Sequence, residues 1–297
     1  MILLYAPRFL KEKTGCRSSL LRKTSLFTFA DIFVAKVIGV FIATSYTLAS
    51  LISFRYFLEN LKLPVLLIFS LKVIVLLNFL YYTCMSASKI NVAKQAIDFI
   101  KDKLTSSMVL GIGTGSTVNY FIDELDNYSH LFKGAVSSSH ASSRLLKSKG
   151  IQVFNLNDVN GIDFYIDGAD EVDKNNNLIK GGGAAHTKEK IVASAATDFI
   201  CIVDKSKIVN QLGEFPLPVE VIPESRSLVA RRILALGGVP ELRIGTTTDQ
   251  GNEILDVKGL DLSDPEAIEL KLNSFAGVVD NGVFSFQKPS IVLISEV

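Results

Sequence analysis

The chain has 297 residues, 48% of them hydrophobic and 21% charged, with 31 Lys and Arg set against 30 Asp and Glu. That length can fill one large or two modest cored domains. The formal net charge is +1, but beyond residue 84 acidic side chains outnumber basic ones 27 to 21, which speaks against a nucleic-acid-binding surface on that larger part.

The charge is unevenly spread: residues 1–84 carry ten basic and three acidic side chains, the remainder 21 and 27. Val37 to Phe54 is an uncharged apolar run of 18 residues, and Pro64 to Cys84 is a second, broken by Lys72. A stretch of that length can cross a bilayer, although a central lysine costs roughly 2.5–3.5 kcal/mol there. A membrane hairpin would keep Arg8, Lys11, Lys13, Arg17, Arg22 and Lys23 cytoplasmic and return the rest of the chain to the same side. A removable targeting segment, a buried hydrophobic helix pair and a gene begun upstream of a true start at Met85 are the competing readings. Cys16, Cys84 and Cys201 have no metal-ligand spacing, so a reducing compartment is expected.

From residue 85 the pattern changes. "INVAKQAIDFI" places Ile90, Ala93, Ala96, Ile97 and Ile100 at helical spacing. "MVLGIG" reads as a short buried strand, "STVNYFIDEL" as a helix, and the alternation continues through "GAVSSS", "ASSRLLKSKG", "IQVF", "DFYIDGAD", "TKEKIVASAA" and "FICIVD". Such interleaving predicts an α/β, Rossmann-like, mainly parallel sheet with helices on both faces. The prolines of "FPLPVEVIP" break the rhythm, and a smaller α+β domain is expected over 217–290. In it, "SRSLVARRILALGG" is a helix, "ELRIGTTTDQGNEILDV" contains short strands, and "DPEAIELKLNSF" is a helix capped by Asp264. "GVVDNGVF" is a hairpin-like pair. "SIVLISEV" is a last buried strand that returns to the main sheet, giving a Rossmann-like domain of 85–216 with 291–297.

Three stretches carry chemistry. In "GIGTGST", glycines and a following helix start suit an anion, and Thr114, Ser116 and Thr117 add hydroxyls. The spacing lacks the third glycine of a dinucleotide site and the Gly-Lys-Ser/Thr of a nucleotide loop, so a phosphate or sugar hydroxyl fits better; a capped tight turn is the plainer alternative. "IDGAD" sets Asp167 and Asp170 across Gly168 and Ala169 at a strand end, where carboxylates bind sugar hydroxyls and move protons. An exposed acidic turn is equally allowed there. "KGGG" then offers Lys180 and three glycines, Gly181, Gly182 and Gly183, ahead of Glu189 on the next helix. A glutamate in apolar surroundings gains a general base's pKa, and a lysine neutralises an oxyanion. His186 is read as a loop side chain. All three loops are expected at one sheet edge, forming a proton-transfer site that needs neither metal nor redox cofactor.

"LGIGTGST", "DGADEVD", "IKGGGAAHTKEKIVA", "DKSKIVNQLGEFPLPVEVIP" and "GNEILDV" resemble the A-type ribose-5-phosphate isomerases, in order and spacing, from about Lys89 onward. The resemblance implies a ferredoxin-like smaller domain, no cofactor or metal, and a homodimer or homotetramer acting on a phosphosugar. It implies aldose–ketose isomerisation through an enediolate, with Glu189 moving the proton between C2 and C1 and Asp167 assisting ring opening. Asp170 and Lys180, with Gly181 to Gly183, would hold the enediolate oxygens. Thr114, Gly115, Ser116, Thr117, Gly168 and Ala169 would line the substrate, and Lys89 and Lys207 would meet its phosphate. Two departures stand out: the family commonly has a hydrophobic residue at 186, and the final strand ends slightly early. A phosphosugar-sensing regulator without catalysis is the main alternative, but it would need a helix-turn-helix where this chain has apolar runs. Coenzyme A transferases of similar fold place their glutamate in another sequence context.

Overall fold

The computed structural model of the chain describes residues 86–295. The apolar extension expected at 1–84, with its two bilayer crossings, lies outside them. Among the described residues no helix is long and apolar enough to cross a membrane.

Helix α1 covers residues 86–100. It is followed by β1 (Val109–Ile112), α2 (Ser116–Leu125), β2 (Gly134–Ser137), α3 (His140–Ser148), β3 (Val153–Phe154) and β4 (Ile162–Asp167). Next come β5 (Glu171–Val172), β6 (Leu178–Ile179), α4 (His186–Ser194), β7 (Ala196–Asp204) and β8 (Leu217–Val221). Then α5 (Arg226–Ala235), β9 (Val239–Leu242), β10 (Glu253–Lys258), α6 (Pro265–Asn273), β11 (Val278–Asn281), β12 (Val283–Phe284) and β13 (Ile291–Ser295) complete the described chain.

The main sheet has six strands in the order β13-β7-β4-β1-β2-β3, every pair parallel. Successive side chains of its strands serve two cores, as the two-residue period of a strand requires. Leu110, Ile112, Phe164, Ile166, Ile200 and Ile202 pack with α1, α2 and α3. Tyr165, Phe199, Cys201 and Val203 point the other way, against Val192 and Ala193 of α4 and Phe284. The α/β sandwich expected from the alternating pattern is therefore present.

Strands β11-β8-β10-β9 form a second, antiparallel sheet. The sequence β8-α5-β9-β10-α6-β11 and that strand order give the ferredoxin-like arrangement. Asp264 caps α6 through its carboxylate and the Ala267 amide at 3.1 Å, with Pro265 at the first turn.

Three expectations are corrected. The "GVVDNGVF" segment is no hairpin: β11 pairs with β8, whereas β12 pairs with β6 in a small sheet β12-β6-β5. Gly282 switches the chain between them, its N–H donating to Pro218 O and its carbonyl accepting from Lys180 N. The proline-rich "LPVEV" is a fully buried central strand. Pro218 is tolerated because β11 has finished pairing by that point. β13 is an edge strand and only partly buried, with a neighbour on one side alone.

Candidate active site

Parallel strands bring the loops after β1, β4 and β7 to the same carboxyl edge, where α/β sheets bind their ligands. The loop of Lys180 to Gly183 follows β6 of the small sheet rather than a main-sheet strand, yet it meets the others over one cleft. The cleft has a volume of about 160 Å³ and is lined by Lys89, Thr114 to Thr117, Gly168 to Asp170, Lys180 to Gly183, Glu189, Asp204 and Lys207, among others. Every site residue expected from the sequence lines it except Asp167, which lies beneath its floor.

The floor is an ionic triad. Lys180 Nζ is 2.8 Å from Asp167 Oδ2 and 3.2 Å from Glu189 Oε2, and all three side chains are almost fully buried. The Glu189 contact lacks hydrogen-bond alignment, so this oxygen has no hydrogen-bond partner. It is a buried carboxylate held in an ion pair with the Lys180 ammonium. Burial, and then the negative charge of Asp167, push Glu189 up to about 8, with Lys180 opposing. Burial alone would lower Lys180, but Asp167 and Glu189 outweigh it and hold the ammonium charged. Asp167 is saturated: Oδ1 accepts from Thr114 N at 3.0 Å and Gly168 N at 2.7 Å, while Oδ2 takes Lys180 and the Tyr165 hydroxyl. Gly113 is required here, because a β-carbon at that position would stand 1.9 Å from Asp167 Cγ.

The cleft walls are built from backbone. Asp170 is half-buried and its Oδ2 accepts from Gly182 N at 2.8 Å, fixing the glycine loop. Gly181 adopts a left-handed φ of 106°. At the opposite end, α2 begins at Ser116 with no side-chain cap, which leaves its first amides without intrahelical partners where Gly115 to Val118 line the cleft. Lys89 Nζ donates to Ser116 Oγ at 2.9 Å, and Lys207 stands on the loop after β7. Among the described residues no cluster of three or more His, Cys, Asp or Glu is gathered to hold a metal ion.

A family model for ribose 5-phosphate isomerase A (phosphoriboisomerase A) matches residues 134–296. A ribose-5-phosphate isomerase A from Legionella pneumophila is 54% identical over 211 residues, 71% of this chain and 96% of that protein. The chain belongs to the ribose 5-phosphate isomerase A family. Among solved structures, the isomerase A of Neisseria gonorrhoeae is 46% identical with a TM-score of 0.67, covering 70% of this chain and 93% of that one. A D-ribose-5-phosphate isomerase in complex with phospho-erythronic acid is 37% identical with a TM-score of 0.66, covering 70% and 94%.

Seen as an isomerase site, the cleft has contributors that sequence reasoning missed. Tyr165 is fully buried and bonded to Asp167, a pairing readable in principle because positions 165 and 167 share one face of β4. Asp204 lines the cleft at the end of β7 and caps the turn that carries Lys207. Arg243 enters from the second sheet and donates from Nη1 to the carbonyls of Gly181 and Gly182 at 2.9 and 3.2 Å. No local pattern marks Arg243, which is brought in by tertiary folding alone. His186 also differs from expectation: it opens α4 and is fully buried, with Nε2 3.4 Å from Asp280 O. Burial lowers it to about 4, against the pull of Glu220, so it packs as a neutral ring.

Proposed function

We infer that the chain interconverts D-ribose 5-phosphate and D-ribulose 5-phosphate by proton transfer through an enediolate. The observation that carries this reading is Glu189, a buried carboxylate pushed up to about 8 beside the Lys180 ammonium in the cleft. Glu189 removes the proton on C2 and returns it to C1, and a pKa near neutrality suits both halves of that exchange. Lys180 faces the oxygen on which charge develops, a preorganised cation in a water-poor floor. Gly181 to Gly183 and Asp170 orient the same oxygens, and Asp167 supports opening of the sugar ring. Ser116, Thr117, the open α2 terminus, Lys89 and Lys207 hold the phosphate; a phosphorylated sugar acid bound to a relative is in keeping with such a substrate.

Further features belong to the same reading. Residues 85–216 with 291–297 act as the catalytic domain and 217–290 as the smaller one, and Gly282 carries the chain from the second sheet to the small sheet. The protein assembles as a homodimer or homotetramer, supported by exposed apolar residues such as Val239, Ile244 and Leu270. The catalytic part resides in the cytoplasm, in keeping with the free thiol of Cys201. The deciding assay follows ribulose 5-phosphate formation by purified protein. Glu189→Gln is expected to lose roughly 10²–10⁴-fold in kcat while still binding substrate. Near-normal turnover in that variant would overturn the mechanism.

A further inference from the structure

The serines after β2 and at the start of α3 touch the chain leaving β1 at three points. Ser138 N donates to Ile112 O at 2.9 Å, Ser142 Oγ donates to Gly113 O at 2.6 Å, and Ser138 Oγ lies 2.9 Å from Thr114 Oγ1. The first two bonds fix the backbone. The third joins two hydroxyls, and its direction decides what Thr114 can offer a ligand. A hydroxyl has one hydrogen to give and lone pairs that accept. Ser138 is fully buried, and among the described residues its hydroxyl makes one hydrogen bond, to Thr114. Leaving a buried hydroxyl hydrogen without an acceptor is costly, so Ser138 donates and Thr114 Oγ1 accepts. Thr114 thereby keeps its own hydrogen. Its hydroxyl makes no other hydrogen bond among the described residues, and the residue is half-buried and lines the cleft. The Thr114 amide donates to Asp167 Oδ1 at 3.0 Å, so this end of the loop stands by the ionic triad, whereas Ser116 at the other end stands by Lys89.

We propose that Ser138 is a positioning residue: by donating to Thr114 Oγ1 it leaves the Thr114 hydrogen free to donate to the substrate oxygen on which negative charge develops. The inference rests on the isomerase reading above. Lys180 supplies the charge at that oxygen, and Thr114 adds a dipole whose direction is set before the substrate arrives. No proton leaves either hydroxyl, so the pair is unchanged at the end of each turnover. A donor held in this way needs no reorientation as the charge appears, which is the condition under which a hydrogen bond favours the transition state over the ground state.

The test uses the full chain carrying Ser138→Ala, Thr114→Val, both together, or Ser138→Ala with Thr114→Ser, and follows ribulose 5-phosphate formation from ribose 5-phosphate. Ser138→Ala is expected to lower kcat about 5–30-fold while KM changes by less than about twofold. Thr114→Val should lose at least as much. Adding Ser138→Ala to Thr114→Val should cost nothing further, because the hydroxyl being oriented is gone. In the Thr114→Ser background, which keeps that hydroxyl, Ser138→Ala should cost the same factor again. A Ser138 that merely supported the fold would give its full loss in the Thr114→Val background, and that result overturns the inference. Normal turnover in Ser138→Ala overturns it as well, and so does normal turnover in Thr114→Val should Ser138→Ala not fold. A loss confined to KM also counts against it, since that would place Thr114 on a part of the sugar whose charge does not change. The parent protein separates this inference from the reading beneath it: no conversion of ribose 5-phosphate by the parent would sink the isomerase reading and the inference together.

Discussion

Glu189 carries a cost that can be measured. An isolated glutamate titrates near 4.5, whereas burial and Asp167 raise this one to about 8. Between those values the folded chain binds more protons than the unfolded chain, so this group lowers stability progressively as pH rises through the window. Glutamine has no such dependence. The melting temperature of Glu189→Gln relative to the parent protein is therefore expected to increase from pH 5 to pH 8.5; a difference that stays flat or shrinks would contradict the assigned protonation. Activity runs the opposite way, because the free base must lose its proton, and kcat/KM should climb with pH up to about 8. Much of this residue-level chemistry was legible in the sequence, where Asp167, Lys180 and Glu189 stand out beside their glycines. What was not legible is depth. Nothing in "IDGAD" reveals that its first aspartate lies under the floor and its second on the wall.

At the scale of elements, the base depends on how firmly α4 is seated. That helix is unusual in burying polar side chains on its core face: Thr187 donates to Glu220, and Lys190 reaches Glu269, Asp280 and the Asn281 carbonyl, each at 2.8 Å. Glu220 is fully buried and also accepts from Thr248 and Asn252 at 2.7 and 2.8 Å. Thr187→Val preserves shape but leaves a buried carboxylate oxygen short of a donor, a loss of about 1–3 kcal/mol. Denaturant unfolding should register that loss, with kcat falling more than KM rises; unchanged stability would remove this bond from the account. The helical period of "TKEKIVASAA" announces the helix but not these partners, which come from strands and turns at least 33 residues further along the chain. The same limit explains the misread "GVVDNGVF". A glycine between two apolar pairs looks like a hairpin turn locally, and only the position of β6 shows that the second pair belongs to another sheet.

On the largest scale of the described residues, the antiparallel sheet reaches the glycine loop that follows β6. Arg243 grips Asp256 through Nε and Nη2 at 2.8 and 2.5 Å, and with Nη1 holds the carbonyls of Gly181 and Gly182. This geometry needs a planar, multiply donating group, so lysine is a poor replacement. Arg243→Lys and Arg243→Ala are both expected to lower kcat roughly tenfold, equivalent to about 1.4 kcal/mol at the barrier. Steady-state kinetics alongside a thermal melt would check this, and full activity in the lysine variant would show that charge alone suffices. Both fold classes could be inferred from periodicity and turn residues, whereas this bridge between them could not.

The switch at Gly282 ties the timing of competence to synthesis. Lys180 is fastened at its backbone by a carbonyl about a hundred positions downstream, and its strand finds an outer neighbour only in Val283 and Phe284. A nascent chain thus holds the base, the acid and the lysine long before it holds the latch that fixes them.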